Sequence, residues 1–451
     1  RVRGVTTVGW RAPKFRVRMN EGYEFVYRKG EPPAKTFSLD SSFIDPSCSR
    51  LILAFELFRE AGAYASIAEP IHTRMNGEFY RYSVFLEKIG SSFLRRNGLG
   101  RDSLVYKAAG IMRGAFLEPV ANFETTRGME QNSRRWKDGK EELREIIQGL
   151  ELKGREREQF LYENVDLPEV MSALAVYAIT KHFDSACHNY FTVRDSQTGL
   201  WSLIPWDLDL VWERMTEPLF GRTFTGHPFM GGEEYFSWTF YHWNRLYDAI
   251  YTTPTIRDMY LRRVRTLMDE YLQPAETPAE KRYLEGRANE LRQRIEKVAA
   301  ADYAESNFYK GGPLGNFGAY PEGLPQLMKS FQRRREYLYS IVILPDAQPK
   351  DAKIEVAKVV LPKGNQPGHV ELTNANDYAV DVSGWKLEGA AVHTLQKGTV
   401  IPAKGKIFVT KNAREFWAAE LSGLRGYAQG GAKFPDGAGA AVRVRRVAVS
   451  K

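Results

Sequence analysis

The sequence predicts an α+β protein in which a mixed domain is followed by an all-β sandwich. Residues 1–343 combine β-type runs near the amino terminus with segments of helical period, which is typical of a mixed domain. Leu344–Asp351 (LPDAQPKD) is a polar, Pro-containing segment that follows a helical stretch and precedes short β-type runs. We therefore predict one domain over 1–343, a linker over 344–352 and a second domain over 353–451.

Short β-type runs fill the second domain, mostly separated by Gly, Pro, Asn or Asp. They span residues 353–360, 368–372, 378–382, 385–387, 398–401 and 406–409. Regular short strands of this kind favour an all-β sandwich of about 100 residues. The arginine-rich residues 443–446 are predicted to form a last strand or to begin a truncated segment.

Helical period is found in several segments of the first domain. These span residues 141–154, 155–162, 167–180, 244–250, 256–271, 279–301 and 327–342. Two of them carry arginine clusters, Arg262–Arg263 and Arg333–Arg335. Such a cluster is either a solvated basic face or a site for phosphate or a partner, and we expect the solvated face.

The apolar segment Leu167–Thr180 leads into the most informative part of the chain. Asp166 and Pro168 suit a helix cap and first turn, so we predict a helix that delivers Lys181–Asn189 as a loop. Two β-rich runs, 190–194 and 201–204, follow and are separated by a polar turn that ends in Gly. A hairpin is therefore predicted to carry the chain from this loop to Trp206-Asp207-Leu208-Asp209.

The loop and the acidic segment together suggest a phosphoryl-transfer site. Asp184 and Asn189 match the H-x-D-x-x-x-x-N spacing of a kinase catalytic loop, with His182 as a structural brace. Asp184 would orient the acceptor hydroxyl as base, while Asn189 and Asp207, with Asp209 as an additional acid, would hold a divalent metal through hard oxygen ligands.

The chain resembles the CotH kinase family of atypical kinases over roughly residues 1–340. The resemblance rests on an opening R-G strand, a P-K-x-basic strand, an N-G-x-Y turn, a strand that ends in Glu, and an I-P-W-D-L-D segment. In this sequence they stand at 1–4, 13–18, 75–80, 82–88 and 204–209. The family lacks the G-x-G-x-x-G loop and the A-P-E segment of ordinary kinases, as this chain does.

A kinase also needs a cation for the α- and β-phosphates and usually a carboxylate that orients it. Lys14 is the predicted cation, and Arg3 and Arg16 are rivals. Residues 14 and 16 project to the same face of a strand, so Lys14 and Arg16 are able to converge on one anion. Glu87 is the candidate for the orienting carboxylate, or lies in the hinge region.

The second domain resembles the lamin-tail domain, an immunoglobulin-like sandwich. Val370–Asn374, Asp381–Trp385 and Ile401–Gly405 match its V-E-L-x-N, D-x-S-G-W and I-P-A-x-G elements. These are structural signatures, and Trp385 is predicted to lie in the core.

The resemblances imply an atypical kinase that uses Mg-ATP, with Mg²⁺ or Mn²⁺, to phosphorylate Ser/Thr-type hydroxyls of a protein partner. The alternative is a catalytically inactive, kinase-like surface or envelope scaffold, in which the β-sandwich binds an assembly partner. The resemblance also implies a bacterial protein that is extracytoplasmic or secreted.

Composition gives further bounds. The chain has 451 residues, of which 43% are hydrophobic and 26% charged, as is ordinary for a globular protein. Of its formal net charge of +9, residues 353–451 contribute +7 from fifteen basic and eight acidic residues, but these are scattered, so nucleic acid is an unlikely partner. No apolar run of about 18 residues occurs, so we predict no transmembrane segment. Because the first residue is Arg, we expect a processed product whose signal peptide is not present in this chain.

Overall fold

The computed structural model of the protein describes eleven stretches of the chain. They are residues 1–3, 12–108, 129–131, 140–182, 189–212, 244–305, 320, 322–364, 366–419, 424–435 and 441–446.

A five-stranded antiparallel sheet opens the chain, with the spatial order β1-β2-β3-β5-β4. Its strands are β1 (Val2–Arg3), β2 (Lys14–Arg18), β3 (Thr36–Asp40), β4 (Ala68–Met75) and β5 (Glu78–Glu87). Asn76 and Gly77 both have positive φ, 53° and 89°, as a tight two-residue hairpin turn requires, which confirms the predicted N-G turn. Phe15 and Val17 of β2 pack against an apolar cluster that includes Phe37, so Lys14 projects to the opposite face.

A second sheet has the order β7-β6-β8-β9. Its strands are β6 (Leu104–Ala108), β7 (Met129–Gln131), β8 (Tyr190–Arg194) and β9 (Trp201–Pro205). The last two strands pair in antiparallel register from Tyr190 opposite Pro205 to Arg194 opposite Trp201. The predicted hairpin is therefore confirmed, and it ends directly before the acidic segment.

Helices make up most of the remaining described part of the first domain. They are α1 (Arg50–Glu60), α2 (Ser91–Arg96), α3 (Lys140–Glu151), α4 (Gly154–Asn164), α5 (Leu167–Thr180), α6 (Arg245–Thr252), α7 (Pro254–Leu267), α8 (Tyr283–Glu305) and α9 (Gly323–Tyr339). Helix α7 continues as a π-helical turn over Met268–Leu272, and 3-10 turns lie at Leu208–Leu210 and Ala279–Lys281. No helix in the described stretches has the length and apolarity that crossing a membrane requires.

Helix α5 is the centre of the first domain. All of its residues are buried, and it packs against α1, α7, α9 and β9. The Asp166 side chain accepts a hydrogen bond from the Glu169 amide at 3.4 Å, and Pro168 lies in the first turn, as the sequence predicted. The helix ends at Lys181, which has left-handed backbone geometry. The predicted bounds of this helix are confirmed.

Residues 354–445 form three small sheets, with one short helix, α10 (Ala413–Ala418). The strands are β10 (Ile354–Val360), β11 (His369–Asn374), β12 (Val380–Asp381), β13 (Lys386–Gly389), β14 (His393–Thr394), β15 (Val400–Ile401), β16 (Lys406–Thr410), β17 (Tyr427–Gln429) and β18 (Val442–Arg445). The sheet orders are β10-β11-β16-β17, β12-β15 and β14-β13-β18, and among the described strands of this region only β16 and β17 pair in parallel. Each predicted β-type run contains a strand, the arginine-rich end forms β18, and Trp385 is buried.

The expectation that both arginine clusters form solvated faces is wrong for four of their five members. Arg262, Arg263, Arg334 and Arg335 are buried. Each donates to at least one backbone carbonyl, as Arg334 Nε does to the Ala178 oxygen at 2.8 Å near the end of α5. The last carbonyls of a helix have no partner within the helix, and the guanidinium group supplies donors for them.

Candidate functional site

Lys14 lies at the centre of a group of three carboxylates. Its Nζ is 2.9 Å from Asp40 Oδ2, 3.2 Å from Asp207 Oδ1 and 2.9 Å from Asp209 Oδ2. The lysine side chain is only 4% exposed. Pairing of β2 with β3 sets Phe15 opposite Leu39, which brings the last residue of β3, Asp40, beside the first residue of β2.

The two other carboxylates come from a tight turn directly after β9. The Trp206 amide donates to the Asn189 carbonyl oxygen at 2.9 Å, which closes the strand pair at its end. Asp207 then adopts left-handed backbone geometry with φ 55° and is followed by a 3-10 turn, Leu208–Leu210. Asp and Asn tolerate this geometry better than other residues with a Cβ atom. The reversal places Asp207 and Asp209 on the same side, facing Lys14.

The three carboxylates that contact the Lys14 ammonium group differ in burial. Asp40 and Asp209 are buried, and Asp207 is partly exposed. Burial is the main cause that raises the pKa of Asp209 to about 7; the Lys14 charge opposes the shift, and Asp207 and Asp40 add to it. An arrangement of this kind favours binding of a proton or of a further cation.

The raised pKa of Asp209 predicts a specific pH dependence of stability. Between pH 3.8 and about 7 the native protein keeps a proton that the unfolded chain has lost, so the stability contributed by protonated Asp209 is lost as the pH rises through this window. Asp209→Asn removes this contribution. We therefore expect the melting temperature of Asp209→Asn, relative to that of the wild type, to increase as the pH rises from about 4 to 7.

Thermal unfolding at a series of pH values measures this effect. Asp377→Asn is the matched control, because Asp377 is 90% exposed and pairs only with exposed Lys404 among the described residues. The control is expected to follow the wild type at every pH. Parallel curves for Asp209→Asn and the wild type would contradict the prediction.

His182 connects α5 to the acidic turn. Its ring is buried and its Nε2 lies 3.3 Å from the Asp207 carbonyl oxygen. Because a carbonyl only accepts, Nε2 carries the proton in this contact. The His182 amide also donates to the Tyr177 carbonyl oxygen of α5 at 3.3 Å. These contacts support the role of a structural brace between α5 and the turn that carries Asp207.

Asn189, a predicted metal ligand, lies at the start of β8 with φ 63° and is half-buried. Its backbone is fixed to the acidic turn by the hydrogen bond to Trp206. Asp184, the predicted base, lies outside the described residues. The structure thus brings together Lys14, Asp207 and Asp209, and places the Asn189 backbone at the same hairpin end.

The other predicted phosphate-side residues are placed elsewhere. Glu87 is buried and accepts from Arg96 at 2.6 Å and from the Ile67 amide at 3.1 Å, so its observed counter-ion is Arg96. Arg16 is exposed on β2, and the backbone of Arg3 pairs with that of Lys14 in the sheet. Their roles in nucleotide binding stay predictions.

Sequence reasoning missed Asp40, which forms one of the shortest contacts to Lys14. The signal was available, because Asp40 ends the β-type run Thr36–Asp40 and shares a strand face with Ser38. Placing Asp40 beside Lys14 from this signal would have required knowing which strand pairs with β2.

Glu169 is a second residue that sequence reasoning missed. It is fully buried on α5, and its carboxyl oxygens accept from the Leu203 amide of β9 and the Tyr64 amide, both at 3.0 Å. Burial, followed by the nearby Asp166, raises its pKa well above the usual range. Glu169 therefore joins the helix that precedes the His182 loop to the strand that precedes Asp207.

The donor set suits a hard divalent cation in its chemistry. Asp207 and Asp209 present carboxylate oxygens to one point, which the Lys14 ammonium group now holds, and such oxygens are the ligands that Mg²⁺ prefers. Within the described stretches, no cluster of three His, Cys, Asp or Glu side chains has the geometry of a completed metal site. Any metal would therefore need ligands besides these two carboxylates.

Helix α5, the hairpin of β8 and β9 and the acidic turn follow in this order along the chain, and the acidic turn faces a strand lysine, Lys14. The chain belongs to the CotH kinase family, whose pattern, described as CotH kinase protein, matches residues 1–338. It is 28% identical over 193 residues to the inner spore coat protein H of Bacillus subtilis (strain 168). That match covers 40% of this chain and 51% of the spore coat protein, so the chain spans about half the length of this relative.

Proposed function

We propose that the protein is an atypical kinase that transfers the γ-phosphoryl group of ATP to Ser/Thr-type hydroxyls of a protein partner, with Mg²⁺ or Mn²⁺. The observation that carries the proposal is the convergence of Asp40, Asp207 and Asp209 on the buried Lys14. A lysine and metal-binding carboxylates at one point are the parts that phosphoryl transfer requires. Membership of the CotH kinase family supports the same activity.

In this proposal each side chain has a stated task. Asp207, Asp209 and Asn189 would hold the divalent metal, which when bound neutralises charge on the phosphates. Lys14, kept in place by Asp40 at 2.9 Å, would bind the α- and β-phosphates, with Arg3 or Arg16 as further candidates. Asp184 would accept or orient the proton of the acceptor hydroxyl. Glu87, the candidate for the orienting carboxylate or the hinge region, pairs with Arg96 among the described residues.

The buried position of Asp40 and Asp209 explains why the site would need a cation at its centre. A buried carboxylate without a counter-charge is costly, so the group is stable only while positive charge occupies its centre. In the described structure Lys14 supplies this charge. Asp207 and Asp209 would hold the metal, and Lys14, which Asp40 also contacts, would direct its charge to phosphate.

We also propose that residues 353–451 form a lamin-tail domain with an immunoglobulin-like fold. The three short sheets and the buried Trp385 support this assignment. Such a domain would bind a surface or envelope assembly partner. The name of the Bacillus subtilis relative supports a spore-coat, and hence extracytoplasmic, location for this protein.

The proposed activity is tested by incubating the protein with γ-labelled ATP and Mg²⁺ or Mn²⁺. Dephosphorylated casein serves as a Ser/Thr probe acceptor, and the protein itself serves as a second one. We expect metal-dependent label on at least one acceptor, with Asp184→Ala as the negative control. Nucleotide binding is followed separately by the shift in melting temperature with ATP and metal. A wild-type protein that neither binds ATP nor transfers label would leave the alternative function, a kinase-like scaffold, in place.

A further inference from the structure

Arg263 of α7 joins three parts of the chain that are distant in sequence. Its guanidinium group, which is 3% exposed, donates to Ser172 Oγ of α5 at 3.0 Å and to the Ala61 carbonyl oxygen after α1 at 2.6 Å. It also donates to Asp381 Oδ2 of β12 at 2.9 Å, and the Asp381 side chain is equally buried. The carboxylate in direct contact with this buried charge therefore comes from the carboxyl-terminal sheets.

A second contact lies at the turn Gln396–Gly398. Gln396 Nε2 donates to both carboxyl oxygens of Asp166, the cap of α5, at 3.2 and 3.3 Å. Gly398, with φ +91°, lies so close to α5 that a Cβ atom there would be 2.1 Å from the Pro168 carbonyl oxygen and 2.5 Å from Ser172 Oγ. The first turn of α5 thus packs directly against this turn.

The predicted linker is also held in place. Arg262 donates to the Asp346 carbonyl oxygen at 2.7 Å and to the Ala379 carbonyl oxygen at 2.8 Å. Arg265 donates to the Pro345 carbonyl oxygen at 3.0 Å. One face of α7 therefore binds both the linker and Ala379, the residue directly before β12, which is unlike a flexible tether between independent domains.

We infer that residues 379–398 are a structural part of the kinase-like unit and position α5, although the family match ends at residue 338. Helix α5 spans Leu167–Thr180, its C-cap Lys181 is followed by His182, and His182 holds the turn that carries Asp207. Without these residues Arg263 would lose the carboxylate that it contacts, and Asp166 would lose the Gln396 contact. Asp381 and Gly398 are positioning residues, because they act through α5. The consequence for activity rests on the proposed kinase function, whereas the support of α5 does not.

Gly398→Ala tests the support of α5 through packing alone. Gly384→Ala is its matched control, because Gly384 also has positive φ, +73°, but a Cβ atom there would meet nothing within 4 Å. Hydrogen exchange of the amides of residues 167–180 is measured in the full chain without nucleotide. We expect exchange in α5 to accelerate by about tenfold or more in Gly398→Ala relative to Gly384→Ala, because the added methyl group displaces the turn from the helix.

Asp381→Asn tests the same inference without a steric clash, with exposed Asp377→Asn as its control. For Asp381→Asn we expect a melting temperature lowered by about 3–5 °C and faster amide exchange in α5, because the buried arginine loses its counter-charge. The control Asp377→Asn is expected to show neither change. If the wild type transfers phosphate, kcat should fall in Asp381→Asn and Gly398→Ala at saturating ATP. Folded Asp381→Asn and Gly398→Ala proteins that both keep wild-type α5 exchange would overturn the inference. If the wild type has no kinase activity, the exchange result still decides the inference.

Discussion

Replacing Asp207 with Asn is expected to lower kcat/KM for phosphotransfer by about 10²–10³. Asn keeps the size of the side chain and tolerates the left-handed backbone geometry at this position, but it removes the negative charge that would bind the metal. The Asp207 side chain is 36% exposed and is the least buried of the three carboxylates around Lys14, so the fold should be retained. The dependence of the initial rate on Mg²⁺ concentration measures the effect.

We expect the loss in Asp207→Asn to be partly overcome by raising the metal concentration, since the remaining ligands would still bind metal weakly. Asp377→Asn makes the same chemical change at an exposed position of the carboxyl-terminal domain and should keep wild-type rates. An Asp207→Asn protein with wild-type kcat/KM at every Mg²⁺ concentration would exclude Asp207 as a metal ligand.

Lys14→Met is expected to lower the free energy of unfolding by about 3–5 kcal/mol at neutral pH. The lysine is 4% exposed, and Met replaces its stem but not its charge, so Asp40 and Asp209 would remain buried without their ammonium partner. Added Mg²⁺ should recover part of this loss, because it supplies positive charge to the same carboxylates. Phosphotransfer should fall in the same variant, since the proposed partner of the phosphates is absent.

Denaturant unfolding with and without Mg²⁺ measures both effects of Lys14→Met. Lys35→Met, directly before β3, is the control, because Lys35 is 78% exposed and its contact with Glu24 is long, at 3.5 Å. The free energy of unfolding of this control should differ little from that of the wild type. A Lys14→Met protein as stable as the wild type would contradict the role of Lys14 as the cation that holds the carboxylates together. A Lys14→Met protein that Mg²⁺ fails to stabilise would contradict binding of the metal to the same carboxylates.

The parts of the fold that depend on local chemistry could be predicted from the sequence. Helix α5 was predicted because its cap at Asp166, its proline in the first turn and its apolar run all lie within a few residues of one another. The hairpin of β8 and β9 follows from two β-rich runs and a polar turn between them. The prediction that Lys14, Asp207 and Asp209 belong to one site depends on the resemblance to the CotH kinase family.

The features that could not be predicted depend on contacts between elements that are distant in sequence. Asp40 joins the site through pairing of β2 with β3, and Glu169 through the packing of α5 on β9. Arg263 and Arg334 looked like solvated charges because a one-dimensional pattern does not show which backbone carbonyls a helix face will contact. A charged side chain in a helix is therefore ambiguous until the partners of that helix are known.

The complete burial of α5 affects how relatives of this protein should be compared. A helix without a solvent-facing side has no position at which substitution is free of packing cost, so its sequence will diverge slowly whether or not the protein catalyses a reaction. Similarity along this helix reports a shared architecture and does not distinguish an enzyme from a descendant that has lost activity. Asp207 is more informative, because its partly exposed carboxylate has little packing to preserve. Under the proposed kinase function, a relative that lacks this carboxylate is expected to lack metal-dependent phosphotransfer.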